Sequence, residues 1–117
     1  MTRPDRANRE LPEISPTELD ERLGQGDELA LVDVRDPHER EIADLPEVGQ
    51  LRIPVNQFLD RISELDREAP LILYCRSGSR SGWATQELLA LGFDNVWNLK
   101  GGLLAWKEEV DSSIQAY

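Results

Sequence analysis

The order of apolar and amphipathic segments along the chain predicts an α/β fold. Residues 29–34 and 71–75 are apolar almost throughout, a pattern typical of strands buried on both faces of a parallel sheet. Residues 51–55 and 95–99 predict two further strands, the first of them shortened by Pro54. Because each of these strands is followed by a segment with helical features, strands and helices alternate.

Helix signals lie between the predicted strands. Ser15-Pro16-Thr17-Glu18 is a capping-box pattern with proline at the first helical position, and Gly24 marks the end of that helix. The other predicted helices are a short one from Pro37 to Ile42, an amphipathic one over residues 55–65, one over residues 79–91 and a last one after Gly101-Gly102. We expect one α/β domain over residues 12–117, with a mostly parallel central sheet and helices on both faces.

Composition and charge narrow the class of protein. The chain has 117 residues, enough for one core, and a formal net charge of −10, which disfavours nucleic acid or an anionic membrane as the main partner. No segment approaches the roughly 18 apolar residues that a membrane span needs. Residues 1–11 form a polar arm that we expect to be flexible, and the first ten lack the apolar core of a signal peptide, so the expected location is the cytoplasm.

The chain holds one cysteine and one histidine, which limits its metal and redox chemistry. A single cysteine cannot form an internal disulfide, and Cys75 with His38 cannot supply the usual ligand set of a zinc site. We therefore expect no metal and no cofactor. His38 follows Pro37 on a polar segment, where we expect it to be exposed and without a catalytic role.

Cys75 stands where a catalytic residue of a parallel sheet belongs. It ends the predicted strand 71–75, and ligands of such sheets bind beyond the carboxyl ends of the strands. The six residues that follow all carry a backbone N–H, so a curled loop can direct several of them at the sulfur. Gly78 permits a tight curl, and Arg76 and Arg80 add positive charge, so we predict a thiolate nucleophile.

Other interpretations of the same residues remain open at this point. In one alternative Cys75 is a small buried core residue, and in another Ser77, Ser79 and Ser81 are simple helix caps. Two chemistries use a cysteine in such a loop: phosphate-ester hydrolysis and sulfur transfer. The spacing from Cys75 to Arg80 is C-x4-R, one residue shorter than the C-x5-R of cysteine phosphatases, and the narrower loop favours a single extra sulfur.

Three motifs in order give the chain a strong resemblance to the rhodanese family, from about Glu13 to Tyr117. LVDVRDPHERE resembles the first signature of the family, CRSGSRS its active loop, and NLKGGLLAWKEEVD its closing signature. One departure is visible, because the family often has Gly-His-Ile-Pro-Gly-Ala where this chain reads Glu47-Val-Gly-Gln-Leu-Arg-Ile-Pro. A histidine role in that stretch is therefore not expected.

The resemblance implies a sulfurtransferase of the thiosulfate sulfurtransferase type. Cys75 would be the nucleophile and persulfide carrier, and residues Arg76, Ser77, Gly78, Ser79, Arg80 and Ser81 would form the substrate-binding cradle for the outer sulfur. Asp33 and Arg35 match the first signature and would support the neighbourhood of the loop. Trp106 and the glycine pair would be structural, and we expect Trp97 in the core and Trp83 in a packing role.

The resemblance also implies partners. The donor would be thiosulfate or a protein persulfide, and the acceptor a thiol, cyanide or a protein. CRSGSRS and LAWKEEVDSSIQAY look most like rhodanese domains associated with adenylating enzymes that load sulfur onto ubiquitin-like carriers. The alternatives left open are a cysteine phosphatase or arsenate reductase on the same scaffold, or a non-catalytic interaction module of this type.

Overall fold

The computed structural model describes residues 11–117, which build one five-stranded sheet. In chain order the strands are β1 (Glu13–Ile14), β2 (Ala30–Asp33), β3 (Leu51–Arg52), β4 (Leu71–Tyr74) and β5 (Val96–Leu99). Their order across the sheet is β1-β5-β4-β2-β3, and every neighbouring pair is parallel. The predicted parallel α/β fold is confirmed, whereas the arm predicted over residues 1–11 lies, except for Leu11, outside the described residues.

Helices cover both faces of this sheet, as the sequence predicts. The α-helices are α1 (Pro16–Gly24), α2 (Ser79–Ala90) and α3 (Gly102–Glu109), and three shorter 3-10 helices span Pro37–Glu41, Val55–Gln57 and Leu59–Glu64. One face packs Ala84 and Leu88 of α2 together with Phe58. The opposite face packs Leu19 of α1 with Trp106 of α3. All four residues of β4 are buried, because both layers cover this central strand.

The amphipathic helix predicted over residues 55–65 is wrong in type. The segment forms two 3-10 helices, and Arg61, inside the second of them, has non-helical dihedral angles of φ −119° and ψ 16°. The tighter turns still bring Phe58 and Leu65 into the core, but they leave Leu59 half exposed. The apolar spacing therefore identified the inward side chains but not the backbone that carries them.

The edge of the sheet differs from the prediction at two positions. β1 was not predicted, because two residues are too few to produce a pattern, and it pairs only with Asn98 and Leu99 of β5. Trp97, expected in the core, is 38% exposed. A cavity of about 160 Å³ between α1 and the sheet adjoins its ring, which explains why the indole is not covered.

No helix among residues 11–117 is both long and apolar enough to cross a lipid bilayer.

The paired glycines before α3 allow that helix to approach the carboxyl end of β4. Gly101 and Gly102 both have positive φ, at 75° and 61°. The amides of Leu103 and Leu104 then donate to the carbonyl oxygens of Cys75 and Arg76, each at 3.0 Å. A β-carbon on Gly102 would lie 2.5 Å from both of these oxygens, so only glycine fits at this position.

Replacing Gly102 with alanine tests this close approach. We expect the free energy of unfolding to fall by more than about 2 kcal/mol, because left-handed strain adds to a clash with fixed backbone oxygens. Gly49→Ala is the matched control, since Gly49 has φ 86° and open space around its α-carbon, and strain alone should cost about 1 kcal/mol there. Equal losses for the two variants in urea-induced unfolding would contradict the proposed contact.

Candidate active site

Cys75 lies immediately after β4, at the carboxyl edge of the sheet. Its side chain points toward the α2 face and belongs to the same apolar cluster as Val34 and Phe58. The residue is 0% exposed, so the sulfur is fully covered in this conformation. Burial on this scale is what a structural core cysteine also shows, and the polar contacts of the sulfur therefore decide the interpretation.

Two backbone amides donate hydrogen bonds to the sulfur, and one hydroxyl lies beside it with its single hydrogen directed at Asn98 Oδ1, 2.5 Å away. The Gly78 amide lies 3.1 Å from Sγ, the Ser81 amide 3.4 Å, and the Ser81 hydroxyl 3.3 Å. Two of the six loop amides, those of the third and the last loop residue, thus converge on Cys75. Backbone amides around a sulfur create a site for negative charge, because each presents a fixed positive partial charge.

The conformation of Gly78 directs the loop into this shape. Gly78 precedes α2 with φ 100°, and a β-carbon on it would lie 3.2 Å from the Gly101 nitrogen. Glycine is therefore required both by the backbone angle and by the neighbouring chain. The loop consequently bends back so that the first turn of α2 starts beside the sulfur.

Asn98 of β5 bonds two residues of the loop, Gly78 and Ser81, although its sequence position does not mark it as a site residue. Its side chain is buried, its Oδ1 accepts a hydrogen bond from the Ser81 hydroxyl at 2.5 Å, and its amide nitrogen donates to the Gly78 carbonyl at 3.2 Å. A third bond goes to the Glu13 carboxylate at 3.2 Å. The indication in the sequence was a polar asparagine among the apolar residues of β5, because a buried side-chain amide needs hydrogen-bond partners.

The two loop arginines do not reach the sulfur as hydrogen-bond donors. Arg80 donates to both carboxylate oxygens of Glu39, at 2.8 and 3.0 Å. Arg76 donates its Nε–H to the Tyr117 carbonyl and places its guanidinium over the Tyr117 ring, 5.4 Å from the centroid. These side chains tie the loop to other segments, so backbone amides rather than guanidinium groups supply the positive charge closest to Cys75.

Glu39 is the centre of one of these anchors. It is buried, accepts the two Arg80 bonds, and also accepts from the Asp36 amide and the Tyr117 hydroxyl. The Arg80 hydrogen bonds lower the pKa of Glu39 to about 2, although burial alone would raise it. The same contact raises the pKa of Arg80, so the pair is ionised across the physiological range.

Asp33 and Arg35 form a second ionic cluster on the opposite face of the sheet. Arg35 Nε and Nη2 bond both Asp33 oxygens, at 2.9 and 3.0 Å, and Arg52 donates to Asp33 at 2.7 Å. Arg35 also donates to the Ala43 carbonyl and the Tyr117 hydroxyl. Within residues 11–117 neither Asp33 nor Arg35 bonds Cys75 or its loop, so their contacts join β2, β3 and the 36–45 segment.

The remaining predicted residues lie around the rim of the loop. Ser77 and Ser79 are exposed, and neither donates to the sulfur in the described part of the chain. His38 is exposed, as the sequence analysis expects. Trp83 is 40% exposed and packs edge-on against Phe58, with ring centroids 6.4 Å apart, so it borders the apolar surface beside Ser79 and Arg80.

Comparison with known proteins agrees with this geometry. The chain matches the family described as the rhodanese-like domain over residues 15–109. It is 36% identical over 94 residues to a sulfurtransferase of Allochromatium vinosum, an alignment that covers 80% of this chain and 86% of that protein. Sulfurtransferase relatives of nearly the same length therefore share the region that holds the loop.

Longer proteins contain similar domains. The chain is 31% identical over 104 residues to the probable adenylyltransferase/sulfurtransferase MoeZ of Mycobacterium tuberculosis, covering 89% of this chain but only 26% of MoeZ. The crystal structure of thiosulfate sulfurtransferase from Pseudomonas aeruginosa superposes with a TM-score of 0.76 at 27% identity, covering 93% of this chain and 20% of that one. In both cases the similarity concerns one domain of a larger protein.

The Glu39–Arg80 anchor predicts how stability depends on pH. Because folding lowers the pKa of Glu39 from 4.5 to about 2, its contribution is complete above pH 4.5 and is lost as the pH falls through 2. We expect Glu39→Gln to lower the free energy of unfolding at pH 7 by about 2 kcal/mol, and by progressively less at pH 3.

Urea-induced unfolding of the wild-type protein and of Glu39→Gln at pH 7, 5 and 3 measures this difference in the free energy of unfolding. Glu64→Gln is the control, because it removes a more exposed ion pair with Arg61 and should change stability little. A Glu39→Gln effect of the same size at pH 3 as at pH 7 would show that the ionised pair is not its cause.

Proposed function

This chain belongs to the rhodanese-like domain family, and on that basis we propose that it is a sulfurtransferase that carries a sulfane sulfur as a persulfide on Cys75. The observation that carries the proposal is the pair of backbone amides, from Gly78 and Ser81, that donate to the Cys75 sulfur. Such amides can hold the negative charge of a persulfide sulfur. A purely structural cysteine has no need of such donors.

The first half-reaction loads the cysteine. The Cys75 thiolate attacks the outer sulfur of a donor such as thiosulfate, and the sulfur–sulfur bond of the donor breaks. Sulfite leaves with the bonding electron pair, and Cys75 holds the new sulfur as a persulfide anion. The amides of Gly78 and Ser81 remain in place throughout, so they stabilise anionic sulfur without reorganising.

The second half-reaction removes the outer sulfur from Cys75. A nucleophilic acceptor, such as a thiolate, attacks the outer sulfur, and the bond between the two sulfurs breaks with its electrons returning to Cys75. The sequence has no second cysteine, so the chain cannot release its own persulfide by forming an internal disulfide. The acceptor is therefore a separate molecule, and the kinetics should be of the ping-pong type.

Access to the sulfur requires movement. Because Cys75 is 0% exposed, a donor reaches it only after side chains at the rim of the loop move aside. Ser77 and Ser79 are exposed, whereas Arg80 is held by Glu39. We infer that the backbone of the loop stays fixed while its rim opens.

The relatives suggest a setting for the acceptor. A similar domain occupies about a quarter of a protein named adenylyltransferase/sulfurtransferase. We propose that an adenylating enzyme with a ubiquitin-like sulfur carrier is one partner system of this chain. Pull-down with a thiocarboxylate-forming carrier tests this partner, and no association or sulfur transfer would leave only the small-molecule activity.

Mass spectrometry after thiosulfate treatment tests the persulfide directly. We expect Cys75 to gain about 32 Da, to lose it on treatment with a thiol, and to show no gain in Cys75→Ala; loss with a thiol excludes sulfinic acid, which has nearly the same mass. Parallel assays with a phosphate ester and with thiosulfate distinguish phosphatase activity from sulfur transfer. Turnover of the ester without any persulfide would contradict the proposal.

A pair of serine variants tests the environment of the sulfur. We expect Ser81→Ala to slow persulfide formation about tenfold, because it removes the hydroxyl whose bond to Asn98 Oδ1 holds Ser81, and with it the amide 3.4 Å from Sγ, in place. Ser79→Ala is the matched control, since Ser79 starts the same helix but is exposed and should retain the wild-type rate. Stopped-flow measurement of sulfite release gives both rates, and equal rates for the two variants would contradict a role for the Ser81 hydroxyl.

A further inference from the structure

The cavity between α1 and the sheet, beside the exposed Trp97 ring, has the features of a binding site. Its volume of about 160 Å³ lies below the roughly 300 Å³ at which pockets for drug-sized molecules begin, so it suits a single protein side chain. The apolar part of its wall consists of Ile14, Leu29, Pro70, Ile72 and Trp97. The indole is 38% exposed, so the aromatic part of the wall is open to a ligand.

The Trp97 ring is held in one orientation. Its Nε1–H donates a hydrogen bond to Asn95 Oδ1 at 3.0 Å, and both residues line the cavity. The face of an indole attracts cations, because its π-electrons give it a negative electrostatic potential, and tryptophan does so more strongly than tyrosine or phenylalanine. A fixed and partly exposed indole therefore favours a positively charged ligand.

The charged groups of the wall favour the same kind of ligand. Among the described residues that line the cavity, Glu13 and Glu18 are acidic and Arg22 is basic. Glu18 bonds Arg22 at 3.3 Å, so these two charges offset each other. Glu13 accepts a hydrogen bond from Asn98 at Oε2, whereas its Oε1 accepts none within residues 11–117. One carboxylate oxygen is therefore left for a donor on the ligand.

The edge of the sheet around the cavity is acidic. The register of β2, β4 and β5 places their amino ends side by side, and each of the three loops that enter these strands contributes a residue to the cavity wall. The same loops carry five exposed carboxylates, those of Asp27, Glu28, Asp66, Glu68 and Asp94. In the part of the chain that the structure describes, none of the five forms an ion pair.

Arg67 is the one cation in these three loops, and other residues already engage it. Its guanidinium lies over the Phe93 ring, 4.2 Å from the centroid, and donates to the Leu91 carbonyl. The loops therefore carry an excess of negative charge without bonded cations. Such a surface attracts a basic partner and repels an acidic one, and the net charge of −10 on the whole chain acts in the same direction.

We propose that this acidic edge binds a basic segment of a partner protein and that one arginine of the segment enters the cavity. The methylene groups of that arginine pack on Ile14 and Ile72, while its guanidinium stacks on Trp97 and bonds Glu13. Arginine fits better than lysine, because a planar guanidinium can stack on an indole and bond a carboxylate at the same time. The carboxylates of the loops attract the other basic residues of the segment.

The proposed site lies at the opposite edge of the sheet from Cys75. The four residues of β4 separate the two edges by about 13 Å, at roughly 3.3 Å for each residue. A bound partner therefore leaves the approach to Cys75 open, and the inference does not rest on the proposed sulfur chemistry.

Binding of a labelled peptide to the full chain tests the proposal. The probe is a fluorescein-labelled peptide in which arginine alternates with glycine, and in the matched probe glutamate replaces arginine. We expect the protein to raise the fluorescence anisotropy of the arginine peptide alone, and the affinity to fall with added salt, because salt screens exposed charges. Equal binding of the two peptides, or binding that salt leaves unchanged, would overturn the proposal.

Two tryptophan variants locate the peptide. We expect Trp97→Leu to weaken binding of the arginine peptide about two- to fivefold, because leucine keeps an apolar side chain but has no π face. Trp83→Leu is the matched control, since the Trp83 indole is exposed to nearly the same extent, 40%, but lies on α2 beside the Cys75 loop. Equal affinities of the two variants would show that the Trp97 cavity is not the site.

A second pair of variants tests the acidic loops. Glu28 adjoins Leu29 of the cavity wall, and we expect Glu28→Gln to weaken binding about twofold, the size of one exposed charge pair. Glu41→Gln removes an equally exposed carboxylate from the segment that follows β2 and should leave the affinity as it is. A loss of the same size in both variants would indicate attraction by net charge alone and contradict a defined site.

Two further measurements separate this inference from the proposed function. In an NMR spectrum of the wild-type protein, the arginine peptide should shift the indole N–H resonance of Trp97 and leave those of Trp83 and Trp106 in place; the reverse pattern would refute the site. Thiosulfate should load Cys75 at the same rate with and without saturating peptide, and inhibition would place the peptide at the Cys75 loop instead. If Cys75 does not load at all, the proposed function fails, and the anisotropy and the Trp97 resonance still decide the docking site.

The rival occupant is the chain's own amino-terminal segment, whose first ten residues include Arg3, Arg6 and Arg9. Replacement of these three arginines with glutamine distinguishes it from a separate partner. We expect the affinity for the arginine peptide to stay within about twofold of wild type, whereas removal of an attached competitor would raise it about tenfold or more. Such a rise would assign the cavity to the chain itself and overturn the proposal of a separate partner.

Discussion

The candidate active site depends most on how the chain holds one sulfur against two amides at the end of its central strand. Cys75 is placed by β4, which is buried on both faces, and its carbonyl is held by the first amide bonds of α3. The Gly78 and Ser81 amides approach the sulfur from the other side. Because these bonds hold the loop in place, the amides stay directed at a developing negative charge on the sulfur. Enzymes stabilise such charge with groups that need not reorganise.

Residues distant in sequence maintain this arrangement. Asn98 bonds both Gly78 and Ser81, and Glu39 and Tyr117 engage Arg80 and Arg76. In each of these contacts the partner lies outside the loop, so the surrounding structure constrains the conformation of the loop. An arginine in such a loop is readily assumed to bind substrate, but in this protein Arg76 and Arg80 bond Tyr117 and Glu39 and thereby anchor the loop.

The sequence predicted the parallel sheet, the order of its main elements and the position of Cys75, because fully apolar strands, a capping box and a glycine-rich loop are local signals. It did not predict β1, whose two residues depend on pairing with β5. It predicted one helix where Arg61 breaks the segment into 3-10 turns, and a core position for the exposed Trp97. Asn98, Glu39 and Tyr117 were missed as site residues because their roles arise from contacts across 17 to 85 positions of sequence.

The central claim is that the Gly78 and Ser81 amides hold an anionic sulfur on Cys75. The most direct measurement is a comparison of amide proton resonances in NMR spectra of the reduced and the thiosulfate-treated protein. We predict that the Gly78 and Ser81 amide protons move strongly downfield when the persulfide forms, while that of Gly49, in open space, stays in place. A persulfide that forms while both resonances remain unchanged would contradict the account.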